Sequence, residues 1–224
     1  MRSKGRIVCF LLMTSVIFSA CSRGKEYESL NREQARVIAE LNREVGELQD
    51  QLNRLKESKG DLEKAKAELE NKLKEELANG GLSVAMGERG LVVTVLDRVL
   101  FDSGKAELKE SAKTTLDKVA SVLKTQVPMH IVYVEGHTDN DPILRSGWRS
   151  NWELSTARAT EVIHYFIEFQ QVKPNRLIAT GFGEYHPVAP NETLDGKSKN
   201  RRVEIVISPK KLTDLGTQAL VKAP

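Results

Sequence analysis

Cysteine and aromatic residues are scarce in this chain of 224 residues, which has two Cys and only 5% Phe, Trp and Tyr. Cys9 lies inside an apolar segment near the N-terminus, and Cys21 lies three residues after the end of that segment. If that segment is removed on export and Cys21 is modified, no pair of thiols remains to form a disulfide. The sequence therefore excludes a fold that depends on disulfides.

A clear excess of one charge is also lacking, although 34 basic and 31 acidic residues give a formal net charge of +3. Arg2, Lys4 and Arg6 belong to the N-terminal segment, which has no acidic residue, so the remainder holds 31 basic and 31 acidic residues. The apparent basicity is therefore no indication of nucleic-acid binding. We expect no nucleic-acid partner.

Long hydrophobic runs are absent, and the longest candidate is the mostly apolar segment of twelve residues at 7–18. It is shorter than the roughly 20 residues that cross a bilayer, and its basic start is typical of an export signal. Phe18-Ser19-Ala20-Cys21 resembles the lipobox of bacterial lipoproteins, with Phe where Leu is usual. We expect residues 1–20 to be a signal peptide and Cys21 to carry acyl chains such as palmitate. The alternative is an ordinary cleaved signal with an incidental Cys.

Proline is absent from residues 26–78, and apolar residues recur there with the seven-residue period of a coiled coil. One series is Leu41, Leu48, Leu55, Leu62 and Leu69, and the other is Ile38, Val45, Leu52, Lys59, Lys66 and Leu73. We expect residues 21–79 to hold the lipidated Cys and a coiled-coil spacer that forms a homo-oligomer. The alternative is a single amphipathic helix that packs against something else, and residues 58–61 could break it locally.

Five β-branched or apolar segments and two amphipathic helical segments follow residue 80, in the order ββαβαββ. This order predicts an α+β fold, a two-layer sandwich with the helices on one face of the sheet. We expect the domain to cover residues 80–208 and residues 209–224 to form a flexible tail. The predicted strands are 82–86, 91–96, 131–134, 176–180 and 203–207, and the predicted helices are 108–123 and 152–169.

Four separated segments carry a family resemblance. They are VLFDSGKAEL at 99–108, VEGHTDN at 134–140 together with NWELSTARA at 151–159, TGFGEYHPVA at 180–189 and NRRVEI at 200–205. In this order they resemble the OmpA-like family, and the resemblance covers roughly residues 82–208. It implies a domain that binds the stem peptide of peptidoglycan, typically at diaminopimelate.

The resemblance places the ligand-binding Asp at Asp139 and the ligand-binding Arg at Arg158. The chemistry agrees, because the far end of diaminopimelate carries an ammonium and a carboxylate on one carbon. A carboxylate accepts hydrogen bonds from the ammonium, and a guanidinium binds the carboxylate through two parallel hydrogen bonds. The alternative is a purely structural role in a turn or an ion pair. The further candidates are Thr138, Asn140, Asn151 and Arg202, the last either alone or with Arg201.

An enzyme is the hypothesis of a different class. His137 and Asp139, with Glu135 on the same strand face, could suggest a metal site or a general base. The sequence lacks a second His at a metal-ligand spacing and lacks a Cys or Ser nucleophile motif. We therefore expect no catalytic activity, no metal and no cofactor. Trp148 and Trp152 either flank a bound sugar or peptide or pack at a helix start.

These features together predict an outer-membrane lipoprotein that faces the periplasm and anchors the envelope to peptidoglycan without a covalent bond. Ser22 favours the outer membrane, because Asp at that position is the inner-membrane retention signal in the sorting that the resemblance implies. The alternative is a coiled-coil scaffold, or a motor- or secretion-associated protein, that uses the domain only for wall attachment.

Overall fold

The computed structural model describes the backbone of residues 3–144 and 147–209, and the side chains of residues 27–144 and 147–209. The side chains of the predicted signal peptide and of Cys21, and residues 210–224 of the predicted tail, lie outside the described residues. The helices are α1 (Ser3–Lys72), α2 (Lys74–Ala78), α3 (Asp97–Leu100), α4 (Glu110–Thr125), α5 (Asn151–Glu168) and α6 (Leu194–Asn200). The strands are β1 (Leu82–Gly87), β2 (Gly90–Leu96), β3 (Ile131–His137), β4 (Leu177–Gly181) and β5 (Arg202–Ser208).

The five strands form one sheet in the order β1-β2-β5-β3-β4. Neighbouring strands are antiparallel except β3 and β4, which run parallel and are connected through α5. In the register of β3 and β5, Glu135 lies opposite Glu204 and His137 lies opposite Arg202. The order of the main elements confirms the predicted ββαβαββ arrangement and the α+β class.

The core of the domain lies between the sheet and the helices α4 and α5. Val132 and Val134 share one face of β3, because alternate residues of a strand point the same way. They belong to the same fully buried cluster as Leu116 of α4 and Phe166 of α5. Burial of each such side chain contributes about 1.5–3 kcal/mol, so this layer holds the strand ends in fixed positions.

The first of two compact units of the chain ends at Arg54 and is the N-terminal part of α1. Its apolar side chains are more than half exposed at Leu30, Ile38, Leu41, Leu48 and Leu52. Within the part of the chain that the structure describes, no helix has the length and apolar character needed to cross a membrane. Exposed leucines at heptad spacing are typical of a surface that packs against a further helix or another protein surface.

The second unit begins at Leu55 and therefore includes the last part of α1. Leu62, Leu69 and Leu73, which the heptads place in a coiled-coil seam, are instead buried in the core of the domain. The helix also continues through residues 58–61 without the break considered above. The folded unit thus begins well before the predicted boundary at residue 80, because a stripe of leucines packs on the chain's own domain as readily as on a second helix.

Candidate functional site

A cleft of about 970 Å³ opens where β3 ends and α5 begins. Among the described residues, its charged lining comprises five basic and four acidic side chains. This near balance suits a ligand that carries both charges better than a polyanion. The nine residues are Asp97, Arg98, Asp102, Lys105, Lys109, Asp139, Asp141, Arg158 and Arg201.

Asp139 follows the last residues of β3 and is 5% exposed. Its Oδ1 accepts a hydrogen bond from the backbone N–H of Asp141 at 3.2 Å, and its Oδ2 forms an ion pair with Arg201. The Arg201 side chain is 38% exposed, whereas the carboxylate is buried and is also held by the loop. A ligand cation could therefore replace Arg201 as the partner of Asp139.

Arg158 projects from α5, and its side chain is 3% exposed. Its Nε donates to the carbonyl of Lys105 at 2.9 Å, and its Nη1 lies 3.0 Å from Oδ1 of Asp97. Its Cζ lies 5.2 Å from the centre of the Phe101 ring, which adds a cation–π contact. These contacts fix the guanidinium plane and use only part of its five donors, which leaves donors for a carboxylate in the cleft.

Two glycines allow α5 to pack closely on the strands. A Cβ at Gly136 would lie 2.0 Å from the carbonyl oxygen of Ser155, and a Cβ at Gly181 would lie 2.1 Å from Oγ1 of Thr156. Glycine is required at both positions because any side chain would collide with the helix. This close packing brings Arg158 beside the end of β3, so that it lines the same cleft as Asp139.

Of the three other predicted residues near the motif, two line the cleft and one lies on the surface. Thr138 and Asn151 line the cleft, and both are buried. Asn140 is exposed, and the structure does not place it in the lining. Asn151 donates to the carbonyl of Asp141 at 3.0 Å and to Oε2 of Glu184 at 2.6 Å. It therefore fixes the loop that carries Asp139 rather than capping α5, which begins after Ser150.

The structure does not bring Arg202 into the cleft, contrary to the prediction. Arg202 is buried, and its Nε donates to Oε1 of Glu204 at 2.6 Å on the sheet. Arg201, one residue earlier, lines the cleft instead and pairs with Asp139. Successive residues of an extended chain point to opposite sides, so only one of two adjacent arginines can face the cleft.

Burial raises the pKa of Asp97 from its ordinary value of 3.8 to about 6, an effect that the charge of Arg158 offsets only in part. The folded protein thus holds this proton more tightly than the unfolded chain does. The resulting stabilisation is complete below about pH 4 and is lost as the pH rises to about 6. We expect Asp97→Asn to flatten the fall in unfolding free energy across this window, measured by urea unfolding at each pH. An unchanged slope in Asp97→Asn would contradict the assignment.

Glu135, His137 and Glu204 form a group of candidate metal ligands, the only one found among the described residues, with ligand atoms within 4.8 Å of one another. Arg89 binds Glu135 through two hydrogen bonds of 2.6 Å, and Arg202 binds Glu204. Both carboxylates are therefore already neutralised by arginines. Burial lowers the pKa of His137 to about 3, so its ring is neutral at physiological pH. The group therefore consists of two ion pairs, Arg89–Glu135 and Arg202–Glu204, next to the buried imidazole of His137.

Asp97 and Phe101 also belong to the site, although no sequence motif indicates their contacts with Arg158. Both act on Arg158 across a long separation in sequence, and no local periodicity indicates such a contact. Phe101 lies inside the VLFDSGKAEL segment, whose residues from Asp102 to Lys105 also line the cleft. The family resemblance of this segment could therefore have indicated Phe101. Asp97 has no such signal, because it precedes that segment.

Comparison with known sequences identifies residues 100–201 as a match to the OmpA family. "Motility protein B" of Bacillus subtilis is 38% identical over 138 residues, which cover 62% of this chain and 52% of that protein. "Probable lipoprotein YiaD" of Escherichia coli is also 38% identical over 138 residues, which cover 62% of this chain and 60% of that protein. The chain thus spans between half and three fifths of the length of these curated relatives.

Solved structures show the same fold. A MotB-like protein from Desulfovibrio vulgaris superposes with a TM-score of 0.63 at 26% identity, over 69% of this chain and 94% of that one. The cell wall anchor of the T6SS from Pseudomonas aeruginosa gives a TM-score of 0.58 at 32% identity, over 63% of this chain and 96% of that one. With the five-stranded sheet, the cleft and these matches, residues 100–201 of the chain are an OmpA-like domain.

Proposed function

We propose that the cleft binds the free end of a diaminopimelate residue in the stem peptide of peptidoglycan, and that the chain thereby anchors the cell envelope to the wall without a covalent bond. One observation carries this proposal. Asp139 and Arg158 are buried in one cleft and have opposite charges, and each is paired with a different protein side chain rather than with the other. Such a site can hold an ammonium and a carboxylate at the same time.

The contacts of Asp139 and Arg158 indicate how the cleft would hold both charged groups of the ligand, an arrangement called the proposed grip below. The α-ammonium of the ligand donates to Asp139 and displaces Arg201, whose exposed side chain then turns toward the carboxylate. Arg158, held in orientation by Asp97 and the carbonyl of Lys105, donates to the same carboxylate. Hydrogen bonds between charged groups are roughly twice as strong as neutral ones, and their pairing inside the cleft offsets the loss of water from the ligand.

The family relatives support wall attachment. The Pseudomonas aeruginosa structure is described as a cell wall anchor, and this chain covers nearly all of it. The likeness to "Motility protein B" supports a second candidate, in which the chain attaches a motor or secretion assembly to the wall. Both candidates place the domain in the periplasm and give the cleft the same ligand, so they differ only in what the rest of the chain holds.

We also propose that residues 1–20 direct export and that lipid on Cys21 holds the chain at the outer membrane. The likeness to "Probable lipoprotein YiaD" supports this role. Each buried methylene of an acyl chain contributes about 0.8 kcal/mol, so several chains on one residue give durable attachment. Cys21→Ala should release the chain from the membrane fraction, and a chain that still sediments with membranes would argue against lipidation.

The exposed leucines of α1 are proposed to form a parallel coiled coil between copies of the chain. The available seam is shorter than the heptads suggest, because Leu62, Leu69 and Leu73 are already buried in the domain. It therefore consists of the exposed series from Ile38 to Leu52. The lysines at positions 59 and 66 fall outside this seam and do not weaken it.

The chain is proposed to bind peptidoglycan without cleaving it. The cleft offers paired carboxylates and guanidinium groups, and none of its described residues forms a nucleophile and base pair. Incubation with purified sacculi should therefore release no soluble muropeptides. Release that depends on Asp139 would identify an enzyme instead.

Competition with a free ligand tests the proposed function directly. The full-length chain in detergent should sediment with purified sacculi, and free diaminopimelate should progressively release it, because the free amino acid carries the same head group as the stem peptide. Pimelate is the matched control, since it has the carboxylates but lacks both ammonium groups and cannot satisfy Asp139. Equal release by both compounds, or by neither, would contradict the proposed grip.

A further inference from the structure

A second, shallow and open groove of about 570 Å³ runs along the exposed side of α5. It begins at the two tryptophans and follows one side of the helix. Residues four apart on a helix lie above one another, and at 1.5 Å per residue this row is about 18 Å long. Its length suits an elongated ligand rather than a single small group. The row consists of Trp152, Thr156, Thr160 and His164.

An aromatic platform forms one end of the groove. Trp152 is 47% exposed, and its ring stacks on Tyr185, which is 62% exposed, with 5.3 Å between ring centroids. Trp148 donates its indole N–H to the carbonyl of Gly104 at 3.1 Å, which fixes the ring. Aromatic faces are electron-rich and attract the slightly positive C–H groups of a ligand. Adjacent exposed aromatic rings commonly mark a binding surface.

Hydrogen-bond acceptors line the groove beyond the aromatic rings. Glu161 forms no ion pair with any residue that the structure describes. The hydroxyls of Thr156 and Thr160 donate to helix carbonyls at 2.8 and 2.9 Å, so toward the groove they act as acceptors. A platform for C–H groups followed by acceptors suits a ligand with apolar faces and a rim of O–H and N–H donors.

We propose that this groove binds the N-acetylated sugar chain of the same peptidoglycan strand whose stem peptide enters the cleft. A pyranose ring offers a C–H face to Trp152 and hydroxyl donors to the two threonines. The N–H of an acetamido group is a matched donor for the carboxylate of Glu161. An oligosaccharide therefore satisfies the platform and the acceptors together.

Two links between the groove and the cleft support this assignment. Because they assume that the stem peptide binds in the cleft, the inference rests on the proposed function. Gly104, whose carbonyl anchors Trp148, lines the cleft. Trp152 directly follows Asn151, another residue of the cleft lining. A sugar chain that carries a stem peptide bound at Asp139 could therefore extend to the aromatic platform.

Intrinsic fluorescence provides a specific test, because the chain has two tryptophans and both line the groove. Soluble oligomers of N-acetylglucosamine, which carry no stem peptide, should change the emission of the full-length chain in a saturable way. Trp152→Ala should weaken binding about tenfold, since loss of one stacking contact corresponds to roughly that factor. Phe169→Ala is the matched control, because Phe169 is an exposed aromatic residue of the same region that lies outside the groove.

Asp139→Asn separates this inference from the proposed function. It should weaken binding to sacculi by at least about 30-fold, through loss of the stem-peptide contact, but keep the fluorescence response to the sugar oligomers. A wild-type chain that binds sacculi through Asp139 but shows no saturable response would overturn the groove assignment alone. A response that disappears in Asp139→Asn would place the sugar in the cleft and would also overturn it. Glu161→Gln, which keeps the shape of the side chain, should weaken the response without changing the stability of the fold.

Discussion

Asp139→Asn is expected to weaken binding of the chain to peptidoglycan sacculi strongly while leaving the domain folded. The substitution keeps the size of the side chain and removes the charge that we propose to hold the ligand ammonium. Loss of one partner of a desolvated charge pair costs about 2–5 kcal/mol of binding. The affinity should therefore fall between about 30-fold and a few thousand-fold. Stability should change little, because the partner side chain of Arg201 is exposed enough to turn to solvent.

The control for this variant is Asp102→Asn. Asp102 lies at the rim of the same cleft, is 58% exposed and pairs only with lysines. The Asp102→Asn substitution removes the same charge as Asp139→Asn. Because exposed ion pairs contribute about 1 kcal/mol or less, the affinity for sacculi should change by less than about sixfold. Equal losses in both variants would show that the cleft responds to total charge rather than to a fitted contact. Sacculi binding by Asp139→Asn at wild-type strength would contradict the proposed grip.

Arg158→Ala is a less direct test, although Arg158 is the other half of the proposed grip. Its guanidinium is buried against Asp97, and removal would leave that carboxylate without its partner. Breaking a buried pair in this way costs about 3–5 kcal/mol of stability. Loss of binding in this variant would then combine two effects. Arg158→Lys retains the charge but not the planar fork, and it should lose sacculi binding with a smaller loss of stability.

Much of the fold could be predicted from the sequence because each element carries its own pattern. Alternating β-branched residues predict β2 and β3, and the helical spacing of apolar residues predicts α4 and α5. The predicted bounds agree with the structure within about three residues. The cleft residues Asp139 and Arg158 could be assigned because they lie in segments that resemble a family. Neither assignment required knowledge of contacts between distant parts of the chain.

The residues that sequence analysis missed depend on contacts between distant segments. Asp97 contacts Arg158 only because the fold brings the residue that follows β2 within ion-pair distance of the middle of α5. The choice between Arg201 and Arg202 depends on which side of the extended chain faces the cleft. A shift of one residue exchanges the two sides, so the sequence pattern is the same for both assignments. The pairing of β5 with β3 decides between them, by placing Arg202 opposite His137.

The heptads of α1 are a further case in which a sequence pattern does not identify the contacts of its residues. Leu48 and Leu69 belong to one series and have the same spacing, yet Leu48 is 55% exposed and Leu69 is fully buried in the domain. A period of seven predicts an apolar stripe and does not identify the surface that covers it. The change of environment along one helix therefore separates a part that stabilises the domain from a part available for self-association.

Leu69→Ala is accordingly expected to destabilise the domain by about 2–5 kcal/mol, the usual range for truncation of a buried leucine. Leu48→Ala removes the same atoms from an exposed position of the same helix, so the unfolding free energy of the domain should change by less than about 0.5 kcal/mol. Urea unfolding followed by tryptophan emission measures both, because Trp148 and Trp152 lie in the domain.

Sedimentation equilibrium should give the opposite order for the same two variants. Leu48→Ala should weaken association between chains, because Leu48 lies in the proposed seam, whereas Leu69→Ala should leave association of the folded chain unchanged. The same logic applies to a fragment that begins at residue 80, which lacks Leu62, Leu69 and Leu73 and should be less stable than the full-length chain. A fragment of undiminished stability, or a Leu69→Ala variant as stable as Leu48→Ala, would show that the end of α1 belongs to the spacer and does not stabilise the domain.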